Sequence, residues 1–292
     1  MDIVLGPNRY GKAENRLVRI YRDTDRHEIR DVNVSTSLWG DFAAGHVDGD
    51  QANVLPTDTQ RNTVFAYAKE HGVGEIEDYA LTLGRHFVDD VASVHGARID
   101  IEEYGWERIE VDGPGHDHAF MRAGPEVRTT SVTVAGPQAW VVSGLSDLTV
   151  LKSTGSEFRG YLTDRYTTLP ETADRIMATS VTARWRYSTL DVDWAATFAS
   201  VRSVLLARFA TTYSKALQHT LWEMGRGALE SHPDIAEIRL SAPNKHHVAV
   251  DLSPFGLENP NEVFHATDRP YGLIQVSALR DDAPSAAPAW EE

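Results

Sequence analysis

The sequence predicts an α+β fold in which one pattern occurs twice along the chain. Residues 16–22 and 32–38 alternate apolar and polar side chains, which is the period of strands with one buried face. Apolar residues then recur every three or four positions between Ile76 and Val94, as in an amphipathic helix. Strands and helices return in the same order in the second half, so we expect two similar units in tandem.

We expect each unit to be an antiparallel sheet with two helices over one face. The first unit should span residues 1–136 and the second residues 137–280. Asp, Ala and Pro dominate the last twelve positions, which predicts a disordered tail at residues 281–292. The two halves share the order of their elements, without a convincing residue-level repeat.

In the first unit, the order is two strands, two helices and two strands. Glycines at positions 72 and 96 are placed to end the helices. The predicted elements are strands at residues 16–22 and 32–38, helices at residues 62–71 and 76–94, and strands beginning at residues 97 and 128.

The second unit repeats this order with a longer connection between its first two strands. Asp193 and Ser214 stand where helix N-caps are expected, ahead of apolar residues at helical spacing. The predicted elements are strands at residues 138–143 and 181–187, helices starting after Asp193 and after Ser214, and strands at residues 235–240 and 246–252.

Composition excludes several classes of protein. The 292 residues include no Cys, so disulfides, thiolate nucleophiles and thiolate metal sites are excluded. The net charge of −15 argues against binding nucleic acid over a large surface. No run of 18 apolar residues and no signal-peptide profile occur, so we expect a cytoplasmic protein that does not enter a membrane.

The predicted sheets leave one face without helices. We expect this face to carry substantial apolar area, and no remaining part of the chain is long enough to cover it. Several subunits should therefore associate.

Two stretches have the residue types of a binding site. Asn244 and His246 lie where a turn meets a strand, with His246 on the apolar side of the alternation. The polar loop of about thirty residues after Lys152 is long for a compact domain, which favours a functional loop. Within it, Phe158 offers a stacking face and Arg175 a planar donor fork.

Six motifs together resemble those of urate oxidases, which oxidise urate without a cofactor. The motifs are Arg9-Tyr10-Gly11-Lys12, Thr57-Asp58-Thr59-Gln60-Arg61-Asn62-Thr63, Lys152-Ser153-Thr154, Tyr166-Thr167-Thr168-Leu169, Tyr213-Ser214 and Pro243-Asn244-Lys245-His246. Each is weak alone, but they occur in the family's order over nearly the whole chain. The resemblance implies two tunnelling-fold units of ββααββ type per chain, and a homotetramer whose sheets form stacked barrels around a tunnel.

The resemblance also implies how urate binds. Phe158 would stack beneath the flat purine ring, which also needs hydrogen bonds in its own plane. Arg175 and Gln218 would hold opposite edges of the ring, and the backbone of Leu217 would add a contact.

The resemblance further assigns the chemistry. Lys12, Thr57 and His246 match the family's proton relay, while Asn244 and the Thr57 hydroxyl would hold dioxygen, peroxide and water above the ring. The backbone of Thr57 and Asp58 would bind urate from a neighbouring subunit, which places each site at a subunit interface. The products would be 5-hydroxyisourate and hydrogen peroxide, with no metal and no cofactor.

Two alternatives stay open. One is another tunnelling-fold enzyme acting on a pterin or purine, although such enzymes anchor the ring with Glu and often use zinc. The other is a non-catalytic oligomer that binds purines, which would not require the relay residues. A metal at His246 and His247 is disfavoured because neighbouring strand residues point to opposite faces. The chain ends in Trp290-Glu291-Glu292 rather than a peroxisomal tripeptide, which suggests a bacterial enzyme.

Overall fold

The computed structural model describes residues 2–286 and 288–290. Among these residues the contacts define two compact units. The first comprises the chain up to Gly144, Thr189–Ala195, and the residues from Pro284 onward. The second comprises Leu145–Ser188 and Ala196–Ala283. No helix in the described residues is both long and apolar enough to cross a membrane.

The first unit is an antiparallel sheet with helices on one face. Its elements are β1 (Tyr10–Tyr21), β2 (Glu28–Gly40), α1 (Ala43–Val47), α2 (Thr57–Glu70), α3 (Ile76–Asp90), β3 (Val94–Arg108), β4 (Phe120–Ala135) and the beginning of β5 (Gln138–Lys152). The strands lie in chain order, and β1–β2, β2–β3 and β3–β4 are antiparallel pairs. The predicted order of elements is confirmed, with α1 added.

The predicted apolar stripe of α3 forms the core of the first unit. Leu83 and Phe87 on α3, and Ile99 and Val134 beneath them, are fully buried. Gly84 allows the close approach, since a Cβ there would lie 2.7 Å from a methyl carbon of Val134. Burying each of the larger side chains stabilises the fold by about 1.5–3 kcal/mol.

The second unit has the same arrangement. Its elements are the end of β5, β6 (Met177–Tyr187), most of α4 (Trp194–Thr211), α5 (Leu217–Ser231), β7 (Ile235–Ala249), a 3₁₀ helix (Ser253–Phe255), β8 (Phe264–Thr267) and β9 (Leu273–Leu279). β6 and β9 flank β7 as antiparallel neighbours, and β8 pairs with the end of β7. Leu221 and Met224 of α5 are buried over this sheet, as their helical spacing predicts.

Several boundaries differ from the sequence prediction. Helix α3 ends at Asp90, and Val94 and Gly96, predicted to lie on and to end this helix, belong to β3. Helix α2 begins at Thr57, five residues early, because its polar first turn gave no apolar period. Strand β7 runs without a break through Pro243, where the sequence predicted a gap between two strands. At this point the strand paired with β7 changes from β9 to β8, so the missing N–H of proline costs little. Ser214 does not cap α5, whose N-cap is Ala216; the Ser214 hydroxyl donates to the Ala216 carbonyl at 3.0 Å.

The open sheet faces are mixed rather than mainly apolar: Val18, Leu273 and Leu279 are exposed there, but strand alternation also places many polar residues on these faces. In the first unit, Arg98 donates to Asp100 at 3.0 Å and to Ser131 at 3.1 Å, all on the face opposite α3. In the second unit, the face opposite α5 includes Glu237 and Arg239, joined at 2.7 Å. At these positions the faces carry paired polar side chains, of which Arg98, Ser131 and Glu237 are buried.

The C-terminal segment also differs from the prediction of a disordered tail. Ala289 is 1% exposed, and its carbonyl oxygen accepts a hydrogen bond from Arg98 at 3.4 Å. The buried guanidinium needs acceptors, and this segment supplies one. From Pro284 onward the described residues of the segment belong to the first unit, whereas Ala287, Glu291 and Glu292 lie outside the described residues. The predicted boundary at Gly136 falls in the β4–β5 turn, and the first unit continues to Gly144.

Candidate functional site

The nine residues predicted to form the site divide between the two units. Three belong to the first unit and six to the second. The first group is Lys12, Thr57 and Asp58; the second is Phe158, Arg175, Leu217, Gln218, Asn244 and His246. Within each unit, the strands, helices and loops of that unit position its group of predicted residues.

The motif Arg9-Tyr10-Gly11-Lys12 fixes the position of Lys12 on β1. Lys12 lies opposite Thr36 on β2, and a Cβ at Gly11 would come within 1.7 Å of the Thr36 carbonyl oxygen. Only glycine permits this approach. The Tyr10 hydroxyl donates to the Leu55 carbonyl at 3.0 Å, which ties β1 to the segment before α2.

Thr57 and Asp58 are the first two residues of α2. Pro56 is the N-cap and provides no side-chain capping bond. The first amide groups of a helix have no acceptor within the helix, and the helix dipole makes this end attractive to negative charge. The Asp58 carboxylate turns to Arg61, 2.9 Å away. The backbone N–H groups of Thr57 and Asp58 can therefore donate hydrogen bonds to an electron-rich oxygen of a ligand.

Phe158 and Arg175 lie together in the loop between β5 and β6. One ring stacks on Phe158: Tyr161, with ring centroids 4.8 Å apart and planes 17° apart. The guanidinium carbon of Arg175 is 4.9 Å from the Phe158 centroid. The buried Arg175 Nε has no hydrogen-bond partner among the described residues, and burial lowers the pKa of this guanidinium from its ordinary value. An aromatic face and a donor in need of an acceptor are thus adjacent.

Backbone hydrogen bonds connect this loop to the segment before α5 and across the loop itself. Glu157 N–H donates to the Ser214 carbonyl at 2.8 Å, and Ser214 N–H donates to Gly155 at 2.9 Å. Arg175 N–H donates to the Ser156 carbonyl at 2.9 Å. The segment before α5 therefore fixes the loop that carries the predicted binding residues.

Sequence reasoning missed the role of Glu157. The Tyr213 hydroxyl donates to the Glu157 carboxylate at 2.9 Å, and Arg159 is 2.9 Å from the same oxygen. The bond from Tyr213 holds the pKa of Glu157 below its usual range, and Arg159 acts in the same direction. The motif Tyr213-Ser214 was the available signal, because both of its residues anchor the loop beside Phe158.

Leu217 and Gln218 begin α5, as Thr57 and Asp58 begin α2. Leu217 is 3% exposed, so its side chain belongs to the core and only its backbone can face a ligand. Gln218 is exposed. Its carboxamide can donate and accept in one plane without adding charge.

Asn244 and His246 lie on β7 with the residues that face α5. The pairing of Thr179 with Asn244 keeps the register of Ala183 with Leu240, so Asn244 and His246 continue the helix side of the strand. Lys245 points to the opposite face. A cavity of about 380 Å³ adjoins this end of β7 and is lined in part by His246.

Comparison with known proteins agrees with these features. A family model described as uricase matches residues 8–133 and 141–275. A uricase from Arthrobacter globiformis is 53% identical over 99% of this chain and 94% of that protein. A uricase from Dictyostelium discoideum is 36% identical over 94% of this chain and 96% of that protein. The crystal structure of uricase from Arthrobacter globiformis has a TM-score of 0.96 and 52% identity, with full coverage of both chains. The chain belongs to the uricase family.

Proposed function

We propose that this enzyme oxidises urate with dioxygen and water, giving 5-hydroxyisourate and hydrogen peroxide without a metal or organic cofactor. Two electrons leave urate and reduce dioxygen to peroxide, and water supplies the new hydroxyl group. The observation that carries the proposal is the aromatic face of Phe158 beside the unpartnered Nε of Arg175 in a chain of this family. The role is that of a bacterial, cytoplasmic enzyme of purine degradation, and the similarity to a uricase from Arthrobacter globiformis supports its bacterial origin.

Urate binds by stacking and by hydrogen bonds in the plane of its ring. Phe158 carries the ring, and the Arg175 fork donates to a ring carbonyl and a ring nitrogen. This satisfies the buried Nε, whose unpaired state costs about 1–3 kcal/mol. Gln218 meets the opposite amide edge, and the Leu217 backbone adds a contact at the helix terminus.

The reaction requires removal of protons from urate and delivery of protons to peroxide. Lys12, Thr57 and His246 form the relay, in which an amine, a hydroxyl and an imidazole can each give and receive a proton. Asn244 and the Thr57 hydroxyl hold dioxygen, then peroxide, then water over the ring. Urate is itself the reductant, so no redox cofactor is needed.

Each complete site is built from two chains of a homotetramer. The amides of Thr57 and Asp58 bind the five-membered-ring side of urate held by a neighbouring subunit. The division of the predicted residues into three of the first unit and six of the second supports this arrangement. The polar side chains on the open sheet faces suit the wall of a water-filled tunnel, as the family's barrel assembly requires.

The test uses protein stripped with a strong chelator and mixed with urate in air or under nitrogen. Urate absorbance, oxygen uptake and peroxide are followed together. We expect urate loss only in air, unaffected by the chelator, with equal amounts of oxygen consumed and peroxide released. Chelator-sensitive oxidation of urate would contradict independence from a metal. No turnover of urate, together with turnover of a pterin once zinc is restored, would favour a pterin enzyme. Urate binding without turnover would instead indicate a non-catalytic purine binder.

Two variants test the relay directly. Lys12→Met and Thr57→Ala should each slow turnover about 100-fold or more while urate binding stays measurable. Wild-type rates in both variants would exclude the relay.

A further inference from the structure

Buried hydrogen bonds in the first unit connect the backbone of Lys12 with the segment that leads into Thr57. The Lys12 N–H donates to Thr36 Oγ1 at 3.1 Å, and Thr36 Oγ1 donates to Gln60 Oε1 at 2.7 Å. The Gln60 amide nitrogen then reaches the Leu55 carbonyl at 3.4 Å. This Lys12–Thr36–Gln60–Leu55 connection links β1 to the start of α2.

The direction of these bonds is fixed. A hydroxyl has one proton, and the Thr36 oxygen is 2.7 Å from Gln60 Oε1 but 3.4 Å from the Lys12 carbonyl, so the proton goes to Gln60. The Gln60 carboxamide cannot be reversed, since its oxygen would then face the Leu55 carbonyl. The connection therefore has one arrangement.

Thr36 occupies a position that packing alone would give to an apolar residue. On the helix-facing side of β2, its neighbours Val34 and Leu38 are fully buried, and Thr36 itself is 4% exposed. A valine would fill the same space without a hydroxyl that requires partners.

Gln60 is placed in the same way on α2. It shares the buried side of the helix with Val64 and Ala68, and it is 0% exposed. Thr57 lies three residues before Gln60, so the two side chains are neighbours on the helix surface. The hydrogen bond between the buried side chains of Thr36 and Gln60 thus joins the helix turn that carries Thr57 to the strand that carries Lys12.

We propose that Thr36 and Gln60 are positioning residues that set the separation and orientation of Lys12 relative to Thr57. The inference rests on the proposed function, in which these two residues act in one proton relay. Neither Thr36 nor Gln60 needs to contact urate. Because the amides beside Thr57 also bind urate, loss of Thr36 or Gln60 should lower kcat by a larger factor than it raises the Michaelis constant for urate.

The matched variants are Thr36→Val, which keeps the shape and removes the hydroxyl, and Thr36→Ser, which keeps the hydroxyl. Because misplacement of about 1 Å can cost on the order of 100-fold, we expect Thr36→Val to lower kcat about 10- to 100-fold. Its Michaelis constant should change by a smaller factor than its kcat, and Thr36→Ser should keep kcat within about threefold of wild type. Gln60→Met, which preserves the length of the side chain, should reproduce Thr36→Val and serves if the valine variant does not fold.

A combination with Lys12→Met separates positioning from a general effect on the fold. If Thr36 acts through Lys12, adding Thr36→Val to Lys12→Met should cause less than about a twofold further loss of kcat. Full multiplication of the two losses would overturn the inference, as would wild-type kcat in both Thr36→Val and Gln60→Met. A wild-type rate in Lys12→Met alone would instead overturn the proposed relay, so the two failures are distinguishable.

Discussion

Replacing Gly11 by Ala tests the strand contact that positions Lys12. The added Cβ would lie 1.7 Å from the Thr36 carbonyl oxygen, half of the 3.4 Å at which ordinary contact begins. The strands must separate locally, which costs about 1–3 kcal/mol as overpacking. The 3.1 Å bond from Lys12 N–H to Thr36 is then lost, at about 0.5–1.5 kcal/mol. We expect the variant to be about 1.5–4.5 kcal/mol less stable and to lose most of its kcat.

The matched control is Gly6→Ala, because a Cβ at Gly6 meets nothing within 4 Å. Unfolding in urea should be measured at one fixed protein concentration, since an oligomer's stability depends on concentration. Urate turnover is measured on the same samples. The control should stay within about 0.5 kcal/mol of wild type. A Gly11→Ala protein with the stability and kcat of the control would refute the reasoning.

Three further predictions concern the binding site, a buried carboxyl group and the core. Arg175→Gln should raise the Michaelis constant for urate about 10- to 100-fold, because it removes charge-assisted hydrogen bonds worth about 1.5–3 kcal/mol. An unchanged Michaelis constant would show that Arg175 does not bind urate. Burial raises the pKa of the Glu77 carboxyl group above its ordinary value of 4.5. Between pH 4.5 and the raised pKa, the folded protein keeps this proton while the unfolded chain has released it. The protonated carboxyl group therefore stabilises the fold at low pH, and this stabilisation is lost as the pH rises from 4.5 through the raised pKa. Glutamine carries no titratable proton, so the free energy of unfolding of Glu77→Gln should rise relative to that of wild type as the pH increases through this range, measured by urea unfolding. A difference that does not change with pH would contradict a raised pKa for Glu77. Leu221→Ala should lower the free energy of unfolding by about 2–5 kcal/mol, because Leu221 is fully buried, and a change below about 1 kcal/mol would show that the helix does not pack as described.

Long amphipathic elements could be predicted from the sequence because their apolar residues are periodic. Helix α3 follows from its spacing, and α5 does so apart from its cap. The start of α2 could not, because Thr57 and its neighbours are polar and the capping residue is Pro56. The continuity of β7 through Pro243 depends on the two strands that pair with it, which are distant in sequence.

The site illustrates the same limit. Motifs identify candidates such as Lys12 and Arg175, but they give no distances. The role of Thr36 depends on Gln60, which reaches it across the fold from another element. Nor does any local pattern show that Glu157 receives a hydrogen bond from Tyr213. Long-range pairing creates both contacts, so only the folded chain reveals them.

The central claim is that each site combines residues from two chains. Co-expression of two variants tests it most directly, when activity is assayed at a urate concentration well below the Michaelis constant of the binding variant, so that each variant alone has little activity. Lys12→Met disables the first-unit group and Arg175→Gln the second-unit group. If the groups meet between subunits, random mixed tetramers contain intact sites at about one quarter of positions, and about a quarter of wild-type activity should return. Activity no greater than the sum of the two parent variants would contradict the claim and place both groups within one chain.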